Sequence, residues 1–430
     1  MSFQSVSSLP HAPIPPTFSA NVNSLSRLGK TIAKLEKMEM DGGRAYAIQK
    51  ATEDTATSLG SRMLVVSGVA EAVEVLFNEL LETGVVYGVI GPVAQRFNHL
   101  FQGLAKKGLD ASQQKVLDGL EGQSIQKMNA APAIKARLAP ARLATFLSAI
   151  AVSCLFGQSA IIYAKNILTA YSFNKDSFSG LLHLKGENTM DPSSSPTVQK
   201  SKKRIGQLTL ATLGVVGGSS ILARFGHQLT GGVQKAIHSL AGAFDFDRAK
   251  KGGKLMMGMT RNHLMGFMAI AFAAYLDAAR DKLERQETAP RLLIIFANLL
   301  FFKGAFDKHV VLPVAKKFAP ELVKGNELLK YPELKKQGVL KTLTPKRLRA
   351  VRRFKNGLFL APYVFGTVIV SATNSVLNRY FTKKRFQKDY VAPVIEHMSV
   401  LDRKPLKPLG AFSFKNTKNL KPSTQVAFSA

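Results

Sequence analysis

Three stretches without a single charged side chain constrain this chain more than any other feature. Residues 143–164 lie between Arg142 and Lys165; residues 206–223 follow Lys202, Lys203 and Arg204 and end at Arg224; residues 357–378 follow Arg352, Arg353 and Lys355 and end at Arg379. At 1.5 Å per residue, a helix of about 20 residues crosses the hydrocarbon core of a bilayer. Globular helices average about eleven or twelve residues and keep one polar face. Core helices of a large soluble protein are therefore the poorer account, and the expected fold is mostly α: a multi-helix membrane-associated bundle with disordered N- and C-terminal tails.

Two further apolar segments are weaker. Residues 262–276 open on Asn262-His263, and residues 292–302 are too short to span alone, so interfacial, re-entrant or buried positions are expected for both. The Pro- and Ser-rich opening, with Pro10, Pro13, Pro15 and Pro16, buries no core. It has neither a basic n-region nor an apolar h-region, so no cleaved signal peptide is expected. The expected organisation is a disordered tail over 1–26, amphipathic helices over 27–135, a hydrophobic membrane region with basic loops over 136–385, and a basic, largely disordered tail over 386–430. Leu28, Ile32, Leu35 and Met38 at helical spacing predict a first amphipathic helix that stops at Asp41-Gly42-Gly43. Strand alternation is sparse.

Charge narrows the partners. The chain carries 59 Lys and Arg against 28 Asp and Glu, a formal charge of +31. Residues 1–100 hold 8 basic and 9 acidic side chains, which leaves 51 and 19 for the rest. An excess of this size draws an anionic partner, and anionic phospholipid is the one expected. Its best-placed site is the cluster Lys346, Arg347, Arg349, Arg352, Arg353 and Lys355, where Thr344 caps a helix, Pro345 fits its first position and the cations run straight into 357–378. An ordinary topological anchor is the plainer reading of the same residues. Nucleic acid is disfavoured, because surface aromatics for base stacking are few.

Basic residues precede both 143–164 (Lys135, Arg137, Arg142) and 206–223 (Lys200, Lys202, Lys203, Arg204). The positive-inside rule would hold both starts on one membrane face, which two consecutive spans cannot satisfy. Within the second block, Gly214 and Gly218 form a GxxxG pair suited to close helix packing in lipid.

Residues 63–95 contain no basic residue but carry Glu71, Glu74, Glu79 and Glu82. Glu71, Glu74, Asn78 and Glu82 follow helical steps on one face, opposite Val65, Val69, Ala72, Val73, Leu76 and Leu80. A solvated helix face is the bland expectation. A carboxylate row along the polar path of a transporter or channel is the sharper one, with His263 beside Arg261 as a further candidate. A soluble or peripheral polyanion-binding protein is the third reading.

Catalytic signatures fail on inspection. Gly29-Lys30-Thr31 lacks the glycine of a phosphate loop, since Ser24 stands there, and Ser219 and Ser220 sit in no GxSxG elbow. The eight histidines form no HxxxH or HExxH pair, and Asp245 and Asp247 read as a solvated loop pair rather than a cation site. The lone cysteine, Cys154, is an apolar filler and excludes an internal disulfide. No enzyme activity, metal or cofactor is expected.

Overall fold

The computed structural model describes residues 26–40, 45–176, 191–251 and 253–392. The expected disordered tails fall almost wholly on residues 1–25 and 393–430, and the stop at Asp41-Gly42-Gly43 falls on 41–44, all outside the described residues. The described chain is overwhelmingly helical, as its charge-free blocks require. Strand is confined to two short antiparallel hairpins, Asp247–Lys251 with Lys254–Gly258 and Val323–Lys324 with Glu327–Leu328.

Helix starts follow local chemistry. Pro132, Pro196 and Pro345 each occupy a first helical turn, where a missing N–H costs nothing. The Ser195 hydroxyl accepts from Val198 N at 3.1 Å and the Thr344 hydroxyl from Arg347 N at 3.4 Å, the latter being the cap expected at Thr344-Pro345. Asp281 caps Lys282–Ala297 by accepting from Glu284 N at 2.8 Å.

Four continuous helical runs are long and apolar enough to cross a membrane: Pro132–Phe173, Pro196–Gln228, Lys282–Phe318 and Pro345–Asp389. Three contain the charge-free blocks. The fourth corrects the reading of 292–302, which is not an isolated short piece but the centre of a run of 37 residues. Its flanking charges, Glu284, Glu287 and Arg291, disguised it because they are buried rather than solvated. Residues 262–276 fall in the Arg261–Ala278 helix, which is not one of the four.

The first two runs lie side by side in opposite directions. Lys202 reaches toward the Tyr171 ring, the Thr212 hydroxyl donates to Ala151 O, and Gly226 packs on Pro140. Successive residues of one run thus meet earlier residues of the other, so their basic starts lie at opposite ends. Arg142 is spent internally on Asp245 and Arg137 on the Ala105 and Lys107 carbonyls, so neither marks membrane sidedness. A Cβ on Gly226 would sit 2.7 Å from the Pro140 Cβ. Gly226→Val is therefore expected to cost about 1–3 kcal/mol by overpacking, read as a lowered unfolding midpoint; an unchanged midpoint would disprove this contact.

The main core gathers Ile90, Leu138, Leu143, Phe146, Phe246 and Phe267. A second cluster joins Ile32 to Val311, Leu334, Leu348 and Val351. The chain divides into two units, Met1–Arg379 and Tyr380–Ala430. Within the second, the described residues 380–392 are helical.

Candidate functional site

The Val69–Thr83 helix positions the site, and it is inside out. Glu71, Glu74, Asn78 and Glu79 are buried, while Val69, Leu76, Leu80 and Leu81 are exposed. The solvated acidic face expected from the sequence is thus corrected: the carboxylates point into the protein and the leucines point out. Ionised carboxylates cannot be buried without partners. Distant parts of the chain supply them.

Arg280 is the hub. Its guanidinium donates to Glu74 from Nη1 at 2.6 Å and Nη2 at 3.1 Å, and to Glu284 from Nε at 3.1 Å and Nη2 at 3.1 Å. Lys165 Nζ donates to the same Glu284 at 3.1 Å, and the Thr169 hydroxyl donates to Glu74. Burial pushes the Glu74 carboxyl upward, but the cations of Arg280 and Lys165 outweigh it and hold Glu74 below its ordinary value. Glu71 accepts from Arg379, which also reaches Glu287 Oε2 at 3.3 Å, and Arg62 closes on Glu79.

Glu82 differs. Its carboxylate accepts from the Tyr275 hydroxyl at 2.6 Å, from Asn78 Nδ2 at 3.0 Å and from Gln158, all neutral donors. Burial and the neighbouring Glu79 push it up to about 7, against the opposing hydrogen bonds. Asp54 on the same cavity wall, hydrogen-bonded by Tyr87, is also raised, first by burial and then by Glu79 and Glu82.

A second buried cluster sits toward the other end of the bundle. Asp245 accepts from Arg142 Nη1 at 2.9 Å, Arg248 Nε at 3.0 Å and the Ile125 backbone N at 2.9 Å. Asp245 is therefore a buried structural anchor rather than half of a solvated loop pair, while Asp247 is exposed. Glu74 and Asn98, which touches Arg248, are 24 residues apart along one nearly continuous helical path. At 1.5 Å per residue that path gives the two charged layers a separation of at most roughly 35 Å.

His263 completes a capping box with Thr260, its Nδ1 accepting from Thr260 N at 3.1 Å, and its ring packs on Phe246 at 4.3 Å and edge-on to Phe146 at 5.3 Å. Burial holds it at about 4, so it is neutral near pH 7. Gly214 and Gly218 are exposed, and a Cβ at either would meet nothing within 4 Å, so among the described residues no close approach uses them. In the basic cluster, Lys346, Arg347, Arg349 and Arg353 are exposed and Arg352 is half-buried. Lys355 is corrected: it is buried against Glu36 Oε1 at 2.6 Å and cannot meet lipid, because its position faces the second core rather than the surface.

No family model matches the chain, and no curated protein or solved structure matches it.

Reading the sequence missed Arg62, Lys165, Arg280 and Arg379 as the carboxylates' partners, and Asp54, Tyr87 and Gln158 beside Glu82. One signal was present: Lys165 and Arg379 each abut a charge-free block, where a lone cation has reason to turn inward.

Proposed function

We propose that this chain is a helical integral membrane protein without a catalytic role, serving a structural, scaffolding or lipid-associated purpose, whose buried charges hold its helices together. The observation that carries the reading is the reversed polarity of Val69–Thr83, with carboxylates inside and leucines outside. In water that arrangement wastes the hydrophobic effect, whereas among lipid chains ionisable groups belong in the interior. The Pro196–Gln228 run supports it, since only 11% of its most apolar window is buried and Leu210, Leu213 and Ile221 stand exposed. Alkaline carbonate washing of membranes is the test. Retention of the full-length chain in the pellet is expected, and its release into the supernatant would sink the membrane reading.

A lipid association is supported by the four exposed cations of the 346–353 stretch beside an apolar run. Each basic residue near an anionic surface contributes about 1 kcal/mol, so Arg349→Gln with Arg353→Gln is expected to weaken binding to phosphatidylserine-containing vesicles roughly 30-fold. Equal binding to neutral vesicles by both forms is the accompanying expectation; an undiminished affinity for the anionic ones leaves these residues as topological anchors. Transport is the rival reading. Glu71, Glu74 and His263 are committed to ion pairs or a cap, so that reading retains Glu82 alone.

A further inference from the structure

We infer that the cavity walled by Glu82, Asp54 and Gln158 is a binding site for one desolvated monovalent cation, with a proton as its competitor. The site is a property of this cavity and goes beyond the membrane reading, which can fail without it.

The argument begins with what the neighbouring acids have and this one lacks. Glu71, Glu74 and Glu79 each close on an arginine, whereas Glu82 is held by a phenol and two carboxamides. Gln158 donates to the carboxylate, Asn78 donates to it and to the Tyr275 hydroxyl, and both leave their carbonyls behind. Among the described residues, Gln158 Oε1 and Asn78 Oδ1 are buried without a hydrogen-bond partner, in side chains that are 5% and 0% exposed, and Gln158 is the one of the two that lines the cavity. A buried acceptor with no donor carries a desolvation penalty of about 1–3 kcal/mol unless something positive reaches it. Glu82, Asp54 and Gln158 all line one cavity of about 40 Å³. A single water needs roughly 10–15 Å³ on this measure, so there is room for a bare cation with a water or two.

Backbone geometry brings these groups together. Ser58, Tyr87, Gln158 and Leu299 each reach the cavity wall from a π-helical segment: Thr55–Leu59, Gly84–Val89, Ala151–Gln158 and Asn298–Phe302. Such widened turns re-aim side chains and are concentrated at functional sites. Charge and size favour a monovalent ion. The cost of moving an ion from water into a low-dielectric interior rises with the square of its charge, and divalent ions give up their water reluctantly. Among the described residues no group of three or more His, Cys, Asp or Glu is placed to hold a metal. One carboxylate with the Gln158 carbonyl and the Ser58 and Tyr87 hydroxyls on the same wall suits an ion that needs oxygen ligands but little countercharge. A proton on Asp54 leaves Glu82 to supply that single charge.

The test uses the full-length protein in detergent, with sodium, potassium or choline chloride at equal ionic strength. Infrared spectroscopy follows the C=O band of protonated buried carboxyls, and thermal unfolding is measured in parallel. Sodium or potassium, but not choline, is expected to remove a carboxyl band near neutral pH and raise the unfolding midpoint. The cation's affinity should fall about tenfold for each pH unit below the Glu82 titration. Glu82→Gln should lose the cation-sensitive part of the band and the midpoint shift, while the Asp54 contribution to the band remains. Gln158→Leu should keep the band's pH titration but lose its cation sensitivity, which separates ligation from folding. Responses identical in sodium, potassium and choline overturn the proposal, as does a cation response that survives Glu82→Gln. If sodium and potassium differ, the stronger responder is the ion the cavity selects.

Discussion

Arg280→Met is expected to be the most damaging single substitution in the protein, lowering stability by about 3–5 kcal/mol, the range found when one member of a buried ion pair is removed. The Arg280 side chain is 1% exposed and neutralises Glu74 and Glu284 at once. Its loss takes the guanidinium from two buried carboxylates at once, leaving Lys165 as the cation paired with Glu284. Because methionine roughly fills the volume, the effect reports charge rather than a cavity. Glu74→Gln in the Arg280→Met background should recover part of the loss, and the double-mutant cycle should give a coupling above about 1 kcal/mol. The chain has no tryptophan, so unfolding is followed by circular dichroism or tyrosine emission. A loss below about 1 kcal/mol would show that the network contributes little.

The same network fixes the direction of the pH response. Glu74 is held below its ordinary value, so its contribution is complete above the unfolded-state carboxylate range and is lost as pH falls through the lower native value. Glu82 is raised, so the folded protein binds its proton more tightly than the unfolded chain does. Its contribution is present below the ordinary carboxylate range and fades as pH rises toward neutrality. Unfolding midpoints of wild type and Glu82→Gln should therefore diverge most above the usual glutamate range and converge in acid.

Arg142→Leu is the second large effect. The Arg142 side chain is fully buried, bonds Asp245, and donates to the carbonyls of Gln123 at 2.8 Å and Leu120 at 3.2 Å. It therefore ties the Pro132–Ile150 helix to the segment after Gly119 and to the turn before the Asp247–Lys251 strand. Removing it takes the side-chain donor from the Gln123 carbonyl, one of two donors from the Leu120 carbonyl and one of the three partners of the buried Asp245 carboxylate, for an expected cost of about 3 kcal/mol. Hydrogen exchange should rise selectively across 120–126, since Arg248 still holds Asp245. Uniform exchange across the whole bundle would instead point to global loosening.

What could be read from the sequence was the period, and what could not was the sign. Steps of three and four placed Glu71, Glu74, Asn78 and Glu82 on one face correctly, but periodicity does not say which face meets the surroundings. The usual assignment, polar out, assumes that the surroundings are water. The same assumption misplaced Asp245 and Lys355, each of which carries a charge with a buried partner. Those partners lie far along the chain, and no local pattern names them. The widened helical turns around Glu82 were equally invisible, because a π-helical segment differs from an α-helix by one register step and leaves the apolar pattern almost unchanged. The charge-free blocks were legible because absence of charge over twenty residues does not depend on a face at all.

The bond between Glu71 and Arg379 spans 308 residues of sequence. On a ribosome adding about 5–20 residues each second, Glu71 waits roughly 15–60 s before its partner exists. During that interval Glu71 lacks Arg379 and, until residue 280 is made, Glu74 lacks Arg280, so these two acids cannot yet be buried in their final pairs. Nascent chains arrested before residue 280 should consequently be the ones that quality-control proteases find first.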